Sequence, residues 1–301
     1  MTLRLTSFFN TATVLVSAAV LGGGCGGHKP PTETGGASEL SAVKVDKLPW
    51  QNPNAEEWDK SPEVILEMMP QGVAFPMLQE VKVPRMKVRV LRDKEWIAFR
   101  LVWEDKTKSD MLEVDKYTDG VALELPLGNP DKTNPMMGSA EDPVYIAHWK
   151  AVWQRDTDQG RADVQDYHPN FWADPYPFVT AGHPYPVTEA FQSANQRRYL
   201  LGVAAGNPVS SLARRQPVEE LQAEGFSTLA DHRFQEARAK GVWADGMWRV
   251  VISLPLVSGD QANPKFPVGS SQKVAFAVWD GGSSNVAGRK QWHPFVTLNV
   301  P

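Results

Sequence analysis

In residues 81–103 the chain reads VKVPRMKVRVLRDKEWIAFRLVW, and its large apolar side chains fall on every second position: Met86, Val88 and Val90, then Ile97, Phe99, Leu101 and Trp103. A period of two puts each set on one face of extended backbone, and the polar Arg92-Asp93-Lys94-Glu95 between them is short enough to close a β-hairpin. The alternation returns at Val121, Leu123 and Leu125, at Trp248, Val250, Ile252 and Leu254, and at Val274, Phe276 and Val278, each run ended by Gly, Pro or Asp. Many short strands with one apolar face bury it by packing sheet on sheet. The expected fold is therefore mainly β, an antiparallel β-sandwich with long loops and a few short helices, the helices expected at residues 218–223 and 229–240. In residues 128–211 Pro and aromatic residues replace periodicity, and so long an irregular stretch in a compact domain serves a site or a partner.

The chain has 301 residues, 42% of them hydrophobic, enough to build a substantial core. With 31 Lys and Arg against 35 Asp and Glu the net charge is −4, and no basic excess is present to neutralise phosphates, so nucleic acid is not an expected partner. At the N-terminus, Arg4 precedes the apolar run TATVLVSAAVL, which is too short to span a bilayer and the right length for the core of an export signal. Gly22-Gly23-Gly24-Cys25 then resembles the cleavage and lipidation site of bacterial lipoproteins, although Gly22 stands where an aliphatic residue is usual. Cleavage by an ordinary signal peptidase after Ala18 or Ala19 is the alternative. The expected organisation is a signal peptide over residues 1–24, a lipidated Cys25 with a flexible Gly/Pro/Thr/Ser-rich tether over residues 25–45, and one domain over residues 46–301. This arrangement places the domain on the periplasmic side of a membrane.

Cys25 is the sole cysteine, which excludes intramolecular disulfides, thiolate-rich zinc sites, protein-bound iron–sulfur clusters and covalently attached haem c. Motifs for phosphate loops, nucleophile elbows or paired metal-binding histidines are absent. His148, His168, His183 and His293 each stand alone beside Trp, Tyr or Pro, and read as surface or packing residues. Glu104-Asp105, at a strand end, reads as solvated turn charge. Two segments carry more information. The Met136-Met137 pair lies in the loop Asn134-Pro135-Met136-Met137-Gly138, away from any apolar strand face, and thioether sulfur is a soft ligand for haem iron or copper. Lys290 follows the turn Trp279-Asp280-Gly281-Gly282; a lysine ligates a metal only as the neutral amine, a form that burial favours.

Five motifs occur in one order: PMMG, then DPV with YIAHWKA, then GNPVS with PVEELQAEGFSTL, then KGVWADGMWRVVISLPL, and finally VAFAVWDGG with AGRKQW. From about Val45 to the C-terminus the chain resembles the haem b-binding gamma subunits of type II DMSO-reductase-like molybdenum enzymes, such as ethylbenzene dehydrogenase, dimethylsulfide dehydrogenase and selenate, chlorate or nitrate reductases. The resemblance implies one non-covalent haem b held between a methionine and a lysine. Carried onto this sequence, these are Met137, with Met136 in reserve, and Lys290, with Lys150 and Lys273 as competitors. It also implies an electron-transfer subunit without catalytic residues, which relays electrons between an iron–sulfur beta subunit, a molybdenum catalytic alpha subunit and an external carrier such as a periplasmic cytochrome c. The abundant Trp and Phe are expected to wall the porphyrin. The competing expectations are a carbohydrate-binding β-sandwich lipoprotein, in which the aromatic loops stack on sugars, and a copper-binding lipoprotein using the methionines and nearby histidines.

Overall fold

The computed structural model describes residues 39–111, 113–162, 164–170, 202, 214–232, 234–260 and 262–301. The hairpin read from the sequence forms as β4 (Arg85–Arg92) and β5 (Trp96–Glu104). Its turn is fixed by Asp93, whose side chain accepts from the amides of Glu95 and Trp96 at 2.9 and 2.8 Å. The other alternating runs become β6 (Gly120–Pro126), β11 (Met247–Pro255) and β12 (Ser270–Trp279). The remaining strands are β1 (Glu39–Lys44), β2 (Val64–Glu67), β3 (Met69–Pro70), β7 (Val144–Lys150), β8 (Val218–Ala223), β9 (Ala230–Asp231), β10 (Arg238–Ala244) and β13 (Gln291–Val300). Helices are short: α1 (Ala151–Gln159) continues directly from β7, and α2 is Val164–Tyr167.

The strands follow the order β10-β11-β5-β4-β1-β13-β12-β6-β7-β8-β9. The turning point is β1. Its first half, from Glu39 to Ser41, pairs with β13, and its second half, from Ala42 to Lys44, pairs with β4, both in parallel. The expected antiparallel sandwich is therefore corrected to a mixed one, because a single strand entering between two sheets runs alongside both. The β1 strand also falls inside the stretch expected to be tether. Leu40 and Ala42 are buried, so residues 39–44 belong to the sheet and the domain starts ahead of residue 46.

The inward faces of the two halves meet in one apolar cluster. Val88, Val90, Phe99, Leu101, Val250 and Ile252 come from one side, and Val121, Leu123, Val274, Phe276, Val296 and Leu298 from the other. At its centre the Trp149 ring stands edge-on to Trp103 and Trp248, at centroid distances of 6.3 and 4.9 Å. Residues 218–223 and the described residues of 229–240 are not helical. VEELQA runs as β8 beside β7, with Glu220 drawn inward to accept from the Tyr145 hydroxyl at 2.6 Å and the Ala237 amide at 2.7 Å. Two adjacent glutamates hid the strand alternation, and a buried hydrogen-bonded carboxylate is what made it workable.

Candidate functional site: a cavity on the outer face of one sheet

Positions that alternate with the core residues on β6, β7, β8 and β12 point the other way, and they line up in cross-strand rows. Trp279, Gly120 and Lys150 form one row; Ala277, Ala122, His148 and Glu219 the next; Ala275, Glu124, Ile146 and Leu221 the third. Gly120 and Ala122 on β6 and Ala275 and Ala277 on β12 are small, so the sheet leaves a depression where most sheets present side chains. A Cβ at Gly120 would lie 3.1 Å from His148 Nε2. Loops carrying Phe75, Tyr117, Met137, Phe226 and Lys290 rise around this floor and enclose a cavity of about 580 Å³. Its lining is predominantly apolar, and its size lies in the roughly 300–1,000 Å³ range of small-molecule and cofactor sites.

Met137 and Lys290 both line the cavity; Met136 does not. Met137 sits in the left-handed region at φ 69°, followed by Gly138 at the same φ, where a Cβ would lie 2.7 Å from the Asp142 carbonyl oxygen. The turn is held by the Gly138 amide donating to Asn134 O at 3.0 Å and the Met136 amide donating to Asn134 Oδ1 at 3.0 Å. Across the cavity loops, the Gly225 amide donates to Met137 O at 2.8 Å. Met137 packs against the small apolar cluster of Ala122, Val144, Ile146 and Leu221.

Lys290 lies at the end of the loop before β13, its carbonyl accepting from the Gln71 amide at 3.0 Å. Burial lowers its pKa, partly offset by the charge of Glu124, and its Nζ stands 5.5 Å from the centroid of the Trp279 ring. Among the described residues it forms no ion pair within 4.0 Å. Both competing lysines are engaged. Lys150 lines the cavity but bridges to Glu219 at 2.8 Å and lies 4.0 Å from the centroid of the Trp153 ring, while Lys273 is outside the cavity and pairs with Asp131 at 2.7 Å.

Two polar groups on the floor, Glu124 and Glu219, escaped the sequence reading, and a third, His148, read there as a surface or packing residue, lines the cavity. Burial pushes the Glu124 carboxyl up to about 8, against the opposing effects of Lys290 and of the Met137 amide, which donates to Glu124 Oε1 at 3.3 Å. His148 Nδ1 contacts Glu219 Oε1 at 3.1 Å, and its pKa is lowered by burial and by Lys150. Burial would raise Glu219, but His148 and Lys150 outweigh it and hold the carboxyl below the usual range. An outward-facing position on an alternating strand signals solvent, which is why Glu124 looked ordinary, and Glu219 was lost with the helix reading of residues 218–223. His168 and His293 do not line the cavity, while His183 and Cys25 lie outside the described residues. Tryptophan is divided: Trp153, Trp279 and Trp292 wall the cavity, whereas Trp58, Trp103, Trp149 and Trp248 are buried in the interior.

Glu104 and Asp105 separate in the same way. Glu104 is exposed, but Asp105 is buried with carboxylate oxygens of Asp119 and Asp280 nearby, all within 4.8 Å of one another. The reading as solvated turn charge is corrected for Asp105. The loop entering β6 folds back over the end of β5, and that return closes solvent off.

Fold and site together define a β-sandwich protein with a cofactor-sized cavity on the outer face of one sheet, in which a thioether and a weakly basic amine meet an apolar lining. The chain belongs to the family described as ethylbenzene dehydrogenase, whose model matches residues 55–291. It is similar to a respiratory nitrate reductase heme subunit of Haloferax mediterranei, 22% identical over 85% of this chain and 71% of the relative. It is also similar to the chlorate reductase subunit gamma of Ideonella dechloratans, 27% identical over 79% of this chain and 74% of that one. A third relative is the dimethylsulfide dehydrogenase subunit gamma of Rhodovulum sulfidophilum, 27% identical over 85% and 78%. Among solved structures, a carbohydrate binding module family 9 from Caldicellulosiruptor kristjanssonii is a distant likeness, with a TM-score of 0.42 and 8% identity over 88% of this chain and 96% of that one.

Proposed function

We propose that this chain is the non-catalytic, haem b-binding electron-transfer subunit of a molybdenum oxidoreductase complex, with Met137 and Lys290 as the axial ligands of one non-covalent haem. The observation that carries the reading is that these two residues line one apolar cavity and that Lys290, its pKa lowered by burial, has no close ion pair, whereas Lys150 and Lys273 are both paired. The names of the relatives, heme or gamma subunits of nitrate reductase, chlorate reductase and dimethylsulfide dehydrogenase, point to the same role. When bound, the haem supplies a one-electron couple. The protein's part is to exclude water with Trp279, Trp292 and Ile146, to keep the Lys290 amine available by desolvating it, and to offer a thioether, which favours ferrous iron and raises the potential relative to two nitrogen donors. With Met137 and Lys290 both holding the iron, no coordination site would be left for a substrate, and the subunit would relay electrons between an iron–sulfur beta subunit and a molybdenum alpha subunit on one side and a periplasmic carrier such as a cytochrome c on the other. Export and lipid attachment at Cys25 would hold the complex on the periplasmic side of a membrane.

The test is a visible spectrum of protein produced with ample haem. A dithionite-reduced sample shows haem b bands of a low-spin centre; their absence overturns the proposal. Met137→Ala and Lys290→Ala should each abolish the low-spin spectrum, whereas Lys273→Ala, on a side chain outside the cavity, should leave it unchanged. A low-spin spectrum retained by Met137→Ala or Lys290→Ala would move ligation to Met136 or Lys150.

A further inference from the structure

We propose that Glu124 is a positioning residue for Met137, an inference that rests on Met137 and Lys290 holding the haem. Glu124 is on β6, in the middle of the cavity floor, with apolar Ala275 and Ile146 as its cross-strand neighbours. It is 9% exposed. A carboxyl in such a row costs free energy unless it is used, because its hydration is lost and neither neighbour replaces it. Packing does not require it, since the rest of its cross-strand row is built from Ala275, Ile146 and Leu221.

Its contact reaches the loop that carries Met137. Oε1 accepts from the Met137 amide at 3.3 Å. Met137 occupies a left-handed backbone conformation that is uncommon for a side-chain-bearing residue and has to be held by its surroundings. Its carbonyl is tied by Gly225 in the loop beyond β8, so the bond to Glu124 is its tie to the sheet floor. Glu124 thus fixes the backbone that presents the thioether, and losing it should loosen the Met137 side of the site while leaving the sandwich intact.

The experiment uses the full chain purified with haem. Glu124→Gln keeps an acceptor oxygen at the same reach; Glu124→Leu removes it; Glu124→Asp keeps the charge but withdraws the acceptor by one methylene. Expected are a wild-type low-spin spectrum for Glu124→Gln and, for both Glu124→Leu and Glu124→Asp, conversion toward a high-spin spectrum with roughly tenfold faster haem transfer to apomyoglobin, the size of one lost hydrogen bond. Far-ultraviolet circular dichroism melts of the haem-free proteins show whether each variant is folded. If Glu124→Leu does not fold, Glu124→Asp decides. Wild-type spectrum and transfer rate in the folded acceptor-deficient variant overturn the positioning role while leaving Met137 and Lys290 as ligands; a wild-type protein without haem bands overturns both.

Discussion

Asp119 shows how one side chain can organise a junction. Its carboxylate accepts from the amides of Ser109 and Gly281 and from Trp248 Nε1, each at 2.8 Å, tying the loop before β6 to β11 and to the turn after β12. Burial and the neighbouring Asp105 push it up to about 8, and Asp105 is raised in turn by burial. The folded chain then holds a proton that the unfolded chain releases near the ordinary carboxylate range of about 4, so this contribution to stability is present in acid and is lost as pH rises toward 8. Asp105 Oδ2 has no hydrogen-bond partner, so Asp105→Asn removes a like charge without breaking a bond at that atom. We expect Asp105→Asn to flatten the fall in melting temperature between pH 5 and about 8 and to stabilise the protein at the upper end by on the order of 1 kcal/mol in chelator-containing buffer. An unchanged slope would show that this pair is not its source. The methionine pair stood out in the sequence because it lies in a loop rather than on an apolar strand face, whereas Lys290 was singled out from other lysines through the family resemblance. Glu124, Glu219 and Asp105 were not, since their significance lies in neighbours that are distant along the chain.

At the level of elements, β10 and β1 carry the clearest consequences. Gly241 on β10 lies against the Trp149 ring, its amide donating to Gln154 Oε1 at 2.7 Å, and a Cβ there would overlap the indole. Gly241→Ala should therefore cost about 1–3 kcal/mol in chemical denaturation, the range for forcing atoms into a packed core; a loss below about 0.5 kcal/mol would mean that the two sheets can separate locally. Strand β1 joins the two halves by pairing with both, so a chain begun at residue 38 should melt like the full chain, whereas one begun at residue 46 should fold poorly or melt well below it. Equal melting temperatures would remove β1 from the fold's requirements. Strands with strict alternation, β4, β5, β6, β11 and β12, were readable because each buries one apolar face. By contrast β1 and β8, with the sequences ELSAVK and VEELQA, are strands because their neighbours supply the partners, and local pattern does not predict that.

For the whole molecule, the proposed anchor makes a separate prediction: Cys25→Ser should shift the protein from the membrane to the soluble fraction in cell fractionation without altering its haem spectrum. Continued membrane association would place the attachment in a partner. The sequence alone determined that the protein is built from strands with apolar faces, that a single cysteine leaves no ligand set for a cluster or covalent haem, and that a soft sulfur and a lysine stand in segments about 150 residues apart. Alternation and composition are local properties, so they survive without coordinates. Only the tertiary structure decided that the sandwich is mixed, that the small outward residues of β6 and β12 stack into one depression, and that Met137, Glu124 and Lys290 meet over it. Those facts depend on strand register and on which loops fold back over which face, and register is set by the packing of the whole core rather than by any segment within it.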